Sequence, residues 1–191
     1  MNHDQEISMD QLSSPVFIVG GAYCGKSELA IQALDQRVKT AVIGTADTKE
    51  SAFQERINQL RELRPVNWEH FEEIDKLPEL VIELAKSYNQ ILLDSVNQWI
   101  AHLIVDGSNR YSVKQLESHI SFEIRNLSKT ISDLTDTRVV LVSSEVGAGL
   151  CPPQPLPRLF RQMTSAANQQ IASTVNTVLS ITAGIPVILR G

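Results

Sequence analysis

A chain of 191 residues, 42% hydrophobic and 20% charged, carries enough apolar material for one packed domain and too little length for two full ones, which excludes a fibrous repeat or a disordered chain. The formal net charge of −5 argues against broad binding of a phosphate backbone, so no nucleic-acid partner is expected. Cys24 and Cys151 form neither a C-x-x-C pair nor a disulfide framework, and no apolar run is long enough to span a bilayer, so a cytoplasmic protein without a membrane span is expected.

Residues 1–14 are polar and lack apolar periodicity, and they read as a frayed lead-in to a single domain over 15–191. The run Pro15-Val16-Phe17-Ile18-Val19 predicts a buried strand. It leads into Gly20-Gly21-Ala22-Tyr23-Cys24-Gly25-Lys26-Ser27, which fits G-x-x-x-x-G-K-[ST] with a helical pattern after it from Lys26 to Gln36. In such a loop the glycines let backbone N–H groups face a polyanion, Lys26 reaches the outer phosphates and the Ser27 hydroxyl ligates Mg²⁺.

A second short strand is expected over Thr40-Ala41-Val42-Ile43, with Gly44-Thr45-Ala46-Asp47 at its carboxyl end, where open α/β sheets hold ligands and where Thr45 is a candidate nucleotide contact. A helix over Lys49 to Leu63 carries Arg56 and Arg61, and Arg64 follows it. Arg64-Pro65 ends that helix, because proline disfavours a helical residue before it. A third extended piece is expected next, then an amphipathic helix from Asp75 to Tyr88. The strand Gln90-Ile91-Leu92-Leu93-Asp94 ends on a carboxylate, which can hold Mg²⁺ opposite Ser27 or can cap the helix that starts near Val96.

Apolar residues at three- and four-residue intervals from Val113 to Leu134 predict a long helix with His119 off its buried stripe. The strand Arg138 to Ser143 delivers Glu145 beside Asp94 if the two strands are neighbours, and Gly147 and Gly149 permit close backbone approach. The proline-rich run from Cys151 to Pro157 is expected to be loop, Arg158 to Val175 a helix, and Asn176–Ile181 and Pro186–Leu189 two closing strands. Alternating strands and helices behind a phosphate loop imply an α/β fold, a mostly parallel sheet with helices on both faces.

Gly20-Gly21-Ala22…Gly25-Lys26-Ser27, Arg56-Ile57…Arg64-Pro65…Trp68, Asp94…Trp99…Leu103, Ser144-Glu145-Val146-Gly147…Gly149…Pro152 and Arg158…Phe160-Arg161…Asn168-Gln169 stand in that order. Together they resemble the family of adenosylcobinamide kinases that are also adenosylcobinamide-phosphate guanylyltransferases. The resemblance implies a P-loop fold, a homotrimer, a nucleoside triphosphate (ATP or GTP) with Mg²⁺, and a corrinoid substrate. In the first reaction the γ-phosphate goes to the aminopropanol hydroxyl of cobinamide; in the second, GMP goes from GTP to that phosphate through a guanylylated histidine.

On this resemblance Lys26, Asp94 and Glu145 carry catalysis, with Glu145 orienting or deprotonating the acceptor hydroxyl. Ser27 and Asp94 hold the metal, Arg56 contacts nucleotide, and Arg64, Gly147 and Arg161 contact substrate. The family's histidine stands three residues after the Arg of Arg56-Ile57, where this chain has Gln59, an amide that cannot replace an imidazole as nucleophile and leaving group. His70 lies beyond Trp68 on a different element and is set aside. Kinase activity without guanylyl transfer is the favoured reading; the full bifunctional activity and a regulatory nucleotide-binding protein without corrinoid turnover stay open.

Overall fold

Phe17 and Ile18 are adjacent in the chain and fully buried in different cores, as the two-residue period of a strand between two layers requires. The computed structural model describes residues 12–46, 51–72 and 74–191. Among them β1 (Val16–Gly20), β2 (Thr40–Gly44), β3 (Glu69–Phe71), β4 (Gln90–Asp94), β5 (Arg138–Ser144), β6 (Thr177–Thr182) and β7 (Ile185–Arg190) build one sheet in the order β3-β2-β4-β5-β1-β6-β7. All pairs are parallel except β6 with β7. The parallel strands therefore finish on one edge of the sheet, where the phosphate loop, Gly44 and Asp94 also lie.

The helices are α1 (Lys26–Gln32), α2 (Ser51–Glu62), α3 (Leu77–Ala85), α4 (Val96–Gly107), α5 (Val113–Asp133) and α6 (Pro155–Thr174). On one face α3 to α6 bury Val81, Trp99, Ile120 and Met163 against Phe17, Ile43, Leu93 and Leu141. On the other, α1 packs Leu29, Ala30 and Ile31 with Leu12 and Trp68 over Ile18, Val42, Leu92 and Val140. Strands buried on both faces are continuous apolar runs, which is why they were readable.

Boundaries differ where a local interaction overrides the pattern. The α1 helix stops at Gln32 rather than Gln36, because Asp35 is held in a turn: its N–H donates to Gln90 Oε1 at 2.9 Å and its carbonyl accepts from Gln90 Nε2 at 3.2 Å. The α6 helix begins at Pro155, inside the run expected to be loop, since a proline in the first turn gives up no helical hydrogen bond. At α5, Ser112 and Gln115 form a reciprocal capping box.

The lead-in is also corrected for 12–14. Leu12 is buried, Ser14 Oγ accepts from Val139 N–H at 2.9 Å, and Ser13 carbonyl accepts from Thr177 Oγ1 at 2.8 Å, so this segment is pinned to β5 and β6. Residues 1–11, and Asp47 to Glu50 before α2, lie outside the described residues.

Candidate active site

The phosphate-loop sequence turns out of β1 into α1. A Cβ at Gly20 would stand 2.5 Å from the Ile181 carbonyl oxygen on β6 and 2.9 Å from Cys24 Sγ, so this position has room only for glycine. Gly25 takes a φ of 95° at the N-cap of α1, a conformation that suits a residue without Cβ. Lys26 is 8% exposed; its Nζ donates to the Gly21 carbonyl and lies 3.7 Å from Cys24 Sγ, so the ammonium is folded over its own loop. Ala22, Tyr23, Cys24, Gly25, Lys26 and Ser27 all line a cleft of about 230 Å³ at the carboxyl edge of the sheet.

Asp94 reaches the same cleft from β4. Ser27 Oγ donates to Asp94 Oδ1 at 3.2 Å and Arg64 Nη2 donates to Asp94 Oδ2 at 3.3 Å. Arg64 and Asp94 side chains are only 6% and 11% exposed. Burial pushes the Asp94 carboxyl upward from its ordinary value, opposed by the Arg64 charge, the Ser27 hydrogen bond and Lys26. Burial likewise pushes the Arg64 guanidinium down, opposed by Asp94. Two hard oxygens of the kind Mg²⁺ selects, a hydroxyl and a carboxylate, thus meet beside the phosphate loop, and the donor set fits that ion.

Thr45 directly follows β2 and spends its hydroxyl on the neighbouring backbone. It is 1% exposed, its Oγ1 donates to the Ser95 carbonyl at 2.6 Å and accepts from Ser95 N–H at 2.8 Å, and its N–H donates to the Asp94 carbonyl at 3.1 Å. Its neighbours Gly44 and Ala46 line the cleft instead. Thr45 therefore fixes the backbone that carries Asp94.

Strands β4 and β5 are neighbours, as the expectation for Glu145 required. The Glu145 N–H donates to the Gly20 carbonyl at 2.9 Å, yet its exposed carboxylate accepts from Gly147 N–H at 2.7 Å and does not line the cleft. Arg161 Nη2 donates to the Gly147 carbonyl at 2.5 Å, so these two expected substrate contacts hold each other outside the cleft. Asn97 Oδ1 accepts from Ser144 N–H at 2.9 Å and Asn168 Nδ2 donates to the Ser144 carbonyl at 3.0 Å. These side chains shape the end of β5 by binding its peptides, so the Phe-Arg and Asn-Gln motifs of α6 act here on the backbone.

Gln59 is exposed on α2 and is not among the cleft-lining residues, and the Arg56 side chain lies outside the described residues. His70 stands on a different element from Gln59, as expected, and β3 pairs with β2, Val42 facing His70, which places the imidazole on the cleft rim with Arg61, Phe71 and Glu72. Arg64 Nη1 lies 3.3 Å from His70 Nδ1. Burial first, then the Arg64 and Arg61 charges, push the His70 imidazole below its ordinary value. The signal that finds it is topological, since a strand joined to the parallel sheet must end where the other strands end.

A family model described as cobinamide kinase / cobinamide phosphate guanyltransferase matches residues 16–189. The bifunctional adenosylcobalamin biosynthesis protein CobU of Escherichia coli (strain K12) is 28% identical over 180 residues, covering 92% of this chain and 99% of that protein. CobP of Pseudomonas aeruginosa (strain PAO1), with the same bifunctional description, is 29% identical over 176 residues, covering 91% and 96%. Among solved structures, a protein of Pyrococcus horikoshii OT3 superposes with a TM-score of 0.54 at 12% identity, covering 92% of this chain and 85% of that one. The mostly parallel sheet and the phosphate loop between β1 and α1 are those of an α/β P-loop fold. No helix of the described residues is long and apolar enough to cross a membrane.

Proposed function

Because this chain belongs to the cobinamide kinase / cobinamide phosphate guanyltransferase family, we propose that it transfers the γ-phosphoryl group of ATP or GTP to the aminopropanol hydroxyl of cobinamide in cobalamin biosynthesis. The observation that carries this reading is the convergence of Lys26, Ser27 and Asp94 on one cleft, with Ser27 and Asp94 in hydrogen-bond contact at 3.2 Å across 67 residues of sequence. Phosphoryl transfer asks mainly for positioned phosphates and charge stabilisation, and this trio suits both.

In that role the loop N–H groups and Lys26 grip the triphosphate tail, and Lys26 stabilises charge on the transferring group. Ser27 and Asp94 would hold Mg²⁺, which when bound neutralises phosphate charge. Thr45 keeps Asp94 in place through the Ser95 peptide, and Glu145 orders the loop at the end of β5. The cleft, about 230 Å³, is smaller than the roughly 300–1,000 Å³ of sites that enclose a whole small ligand. A phosphate tail and one hydroxyl-bearing arm fit such a space, and a corrinoid ring stays outside it.

Guanylyl transfer is the second reading, favoured by the bifunctional descriptions of the relatives and opposed by Gln59 in place of a nucleophile. Incubation with γ-labelled and α-labelled GTP, with and without cobinamide, separates the readings. Label reaching corrinoid from the γ position alone is the expected result. An acid-labile protein adduct from the α position supports the bifunctional activity, and nucleotide binding without any transfer overturns the kinase.

A homotrimer is proposed with it. It is supported by β7, an edge strand that exposes Ile185, Val187, Ile188 and Leu189, an apolar surface of the kind that contacts between copies cover.

A further inference from the structure

Arg64 is the most buried cation of the cleft that is tied to a carboxylate, and that carboxylate is shared. One oxygen of Asp94 accepts from Ser27 at 3.2 Å and the other from Arg64 at 3.3 Å. Any cation held between Ser27 and Asp94 draws on the same negative charge and weakens the hold on Arg64. The guanidinium cannot retreat to water, because its side chain is only 6% exposed. Its Nε has no hydrogen-bond partner among the described residues. A buried charge that loses its counter-ion is costly, so a second anion is the natural replacement.

His70 supplies the geometry for that exchange. A guanidinium only donates, so at 3.3 Å His70 Nδ1 is the acceptor, and a neutral imidazole then carries its proton on Nε2. The low proton affinity that burial and the two arginines impose on His70 agrees with that neutral form. The neighbouring Arg61 is already balanced by an ion pair with Glu72 on the same wall. Arg64 thus keeps an unpartnered Nε–H in a cleft whose other cations are Lys26, at the phosphate loop, and the paired Arg61.

We propose that Arg64, held at one edge by His70, forms a second anion subsite facing the phosphate loop across Asp94, and that its ligand is a tetrahedral phosphate dianion. His70 is a positioning residue in this scheme and Arg64 the binding one. The phosphate has two possible sources, the γ position of the nucleotide or the phosphomonoester carried by the acceptor. The inference rests on the phosphoryl-transfer reading above, and binding rather than turnover is measured so that the two can fail separately.

Inorganic phosphate is titrated calorimetrically into the full chain saturated with Mg·AMPPNP, whose γ position is filled, and in parallel with Mg·ADP, whose γ position is free. The wild type binds phosphate, His70→Ala weakens it by about 10-fold or more, and His70→Asn, whose amide oxygen can accept from Arg64, recovers it to within about threefold. Arg64→Lys, which keeps the charge and loses the fork, weakens it as well. Weakening with both nucleotides assigns the subsite to the acceptor's phosphate; weakening with Mg·ADP alone assigns it to the γ position. Phosphate that does not bind the wild type, or binds His70→Ala as tightly as the wild type in both titrations, overturns the subsite while leaving the kinase standing. Failure of the wild type to bind these nucleotides and their guanine counterparts, Mg·GMPPNP and Mg·GDP, overturns both.

Discussion

Asp94 owes its place to a hydroxyl that never touches the cleft. Thr45 Oγ1 donates to the carbonyl and accepts from the N–H of Ser95, 50 residues away, and the residue is buried. Thr45→Val keeps the shape and deletes both bonds; the Ser95 carbonyl keeps the Trp99 N–H at 3.2 Å, but the buried Ser95 N–H loses its partner, which costs about 1–3 kcal/mol. Chemical denaturation should show that loss, with weaker Mg·nucleotide binding beside it; an unchanged midpoint would contradict the assignment. Lys26, Ser27 and Asp94 were legible in the sequence because a spacing rule and a strand end mark them. Thr45 was read as a ligand contact because sequence gives a residue's address and not the partner its hydroxyl finds. The meeting of His70 with Arg64 was not legible for a related reason, since nothing local says that β3 joins the edge of the sheet beside β2.

At the scale of elements, the phosphate loop depends on β6 as much as on its own glycines. A methyl group at Gly20 would meet the Ile181 carbonyl oxygen at 2.5 Å, and backbone in a paired strand cannot step aside cheaply. Gly20→Ala should therefore cost about 1–3 kcal/mol as an overpacking change, read as a lower thermal midpoint together with weaker nucleotide binding. A midpoint within error of the wild type would mean that the loop and β6 can separate freely. Strands and long helices were legible from apolar runs and periodicity. Their ends were not, because α1 is stopped by Gln90 holding Asp35, a contact across 55 residues, and α6 starts on a proline that a composition argument reads as loop.

At the scale of the whole molecule, the parallel sheet brings the ends of β1, β2, β3, β4 and β5 to one edge, and the cleft draws its residues from that edge. The far edge ends in β7, whose apolar side chains are 45–65% exposed at Ile185, Val187, Ile188 and Leu189. Placing a charge there, as Val187→Lys, should shift the proposed trimer to monomer in sedimentation equilibrium without unfolding the chain, since Val187 is outside both cores. A wild-type mass at the substituted protein would remove β7 from the contact. The α/β class and the order of elements were legible from alternation alone. The strand order, and with it the meeting of Arg64, His70 and Asp94, is a long-range property that no local pattern encodes.

In the proposed reaction the phosphate loop delivers a phosphoryl group to a corrinoid. The most direct measurement is single-turnover transfer of γ-label from Mg·ATP or Mg·GTP to cobinamide by the wild type and by Lys26→Ala, with circular dichroism to show that both are folded. If the loop does so, the wild type yields labelled corrinoid and the variant does so at a rate lower by about 10²-fold or more. Labelled corrinoid at equal rates from both, or none from the wild type, would contradict that delivery.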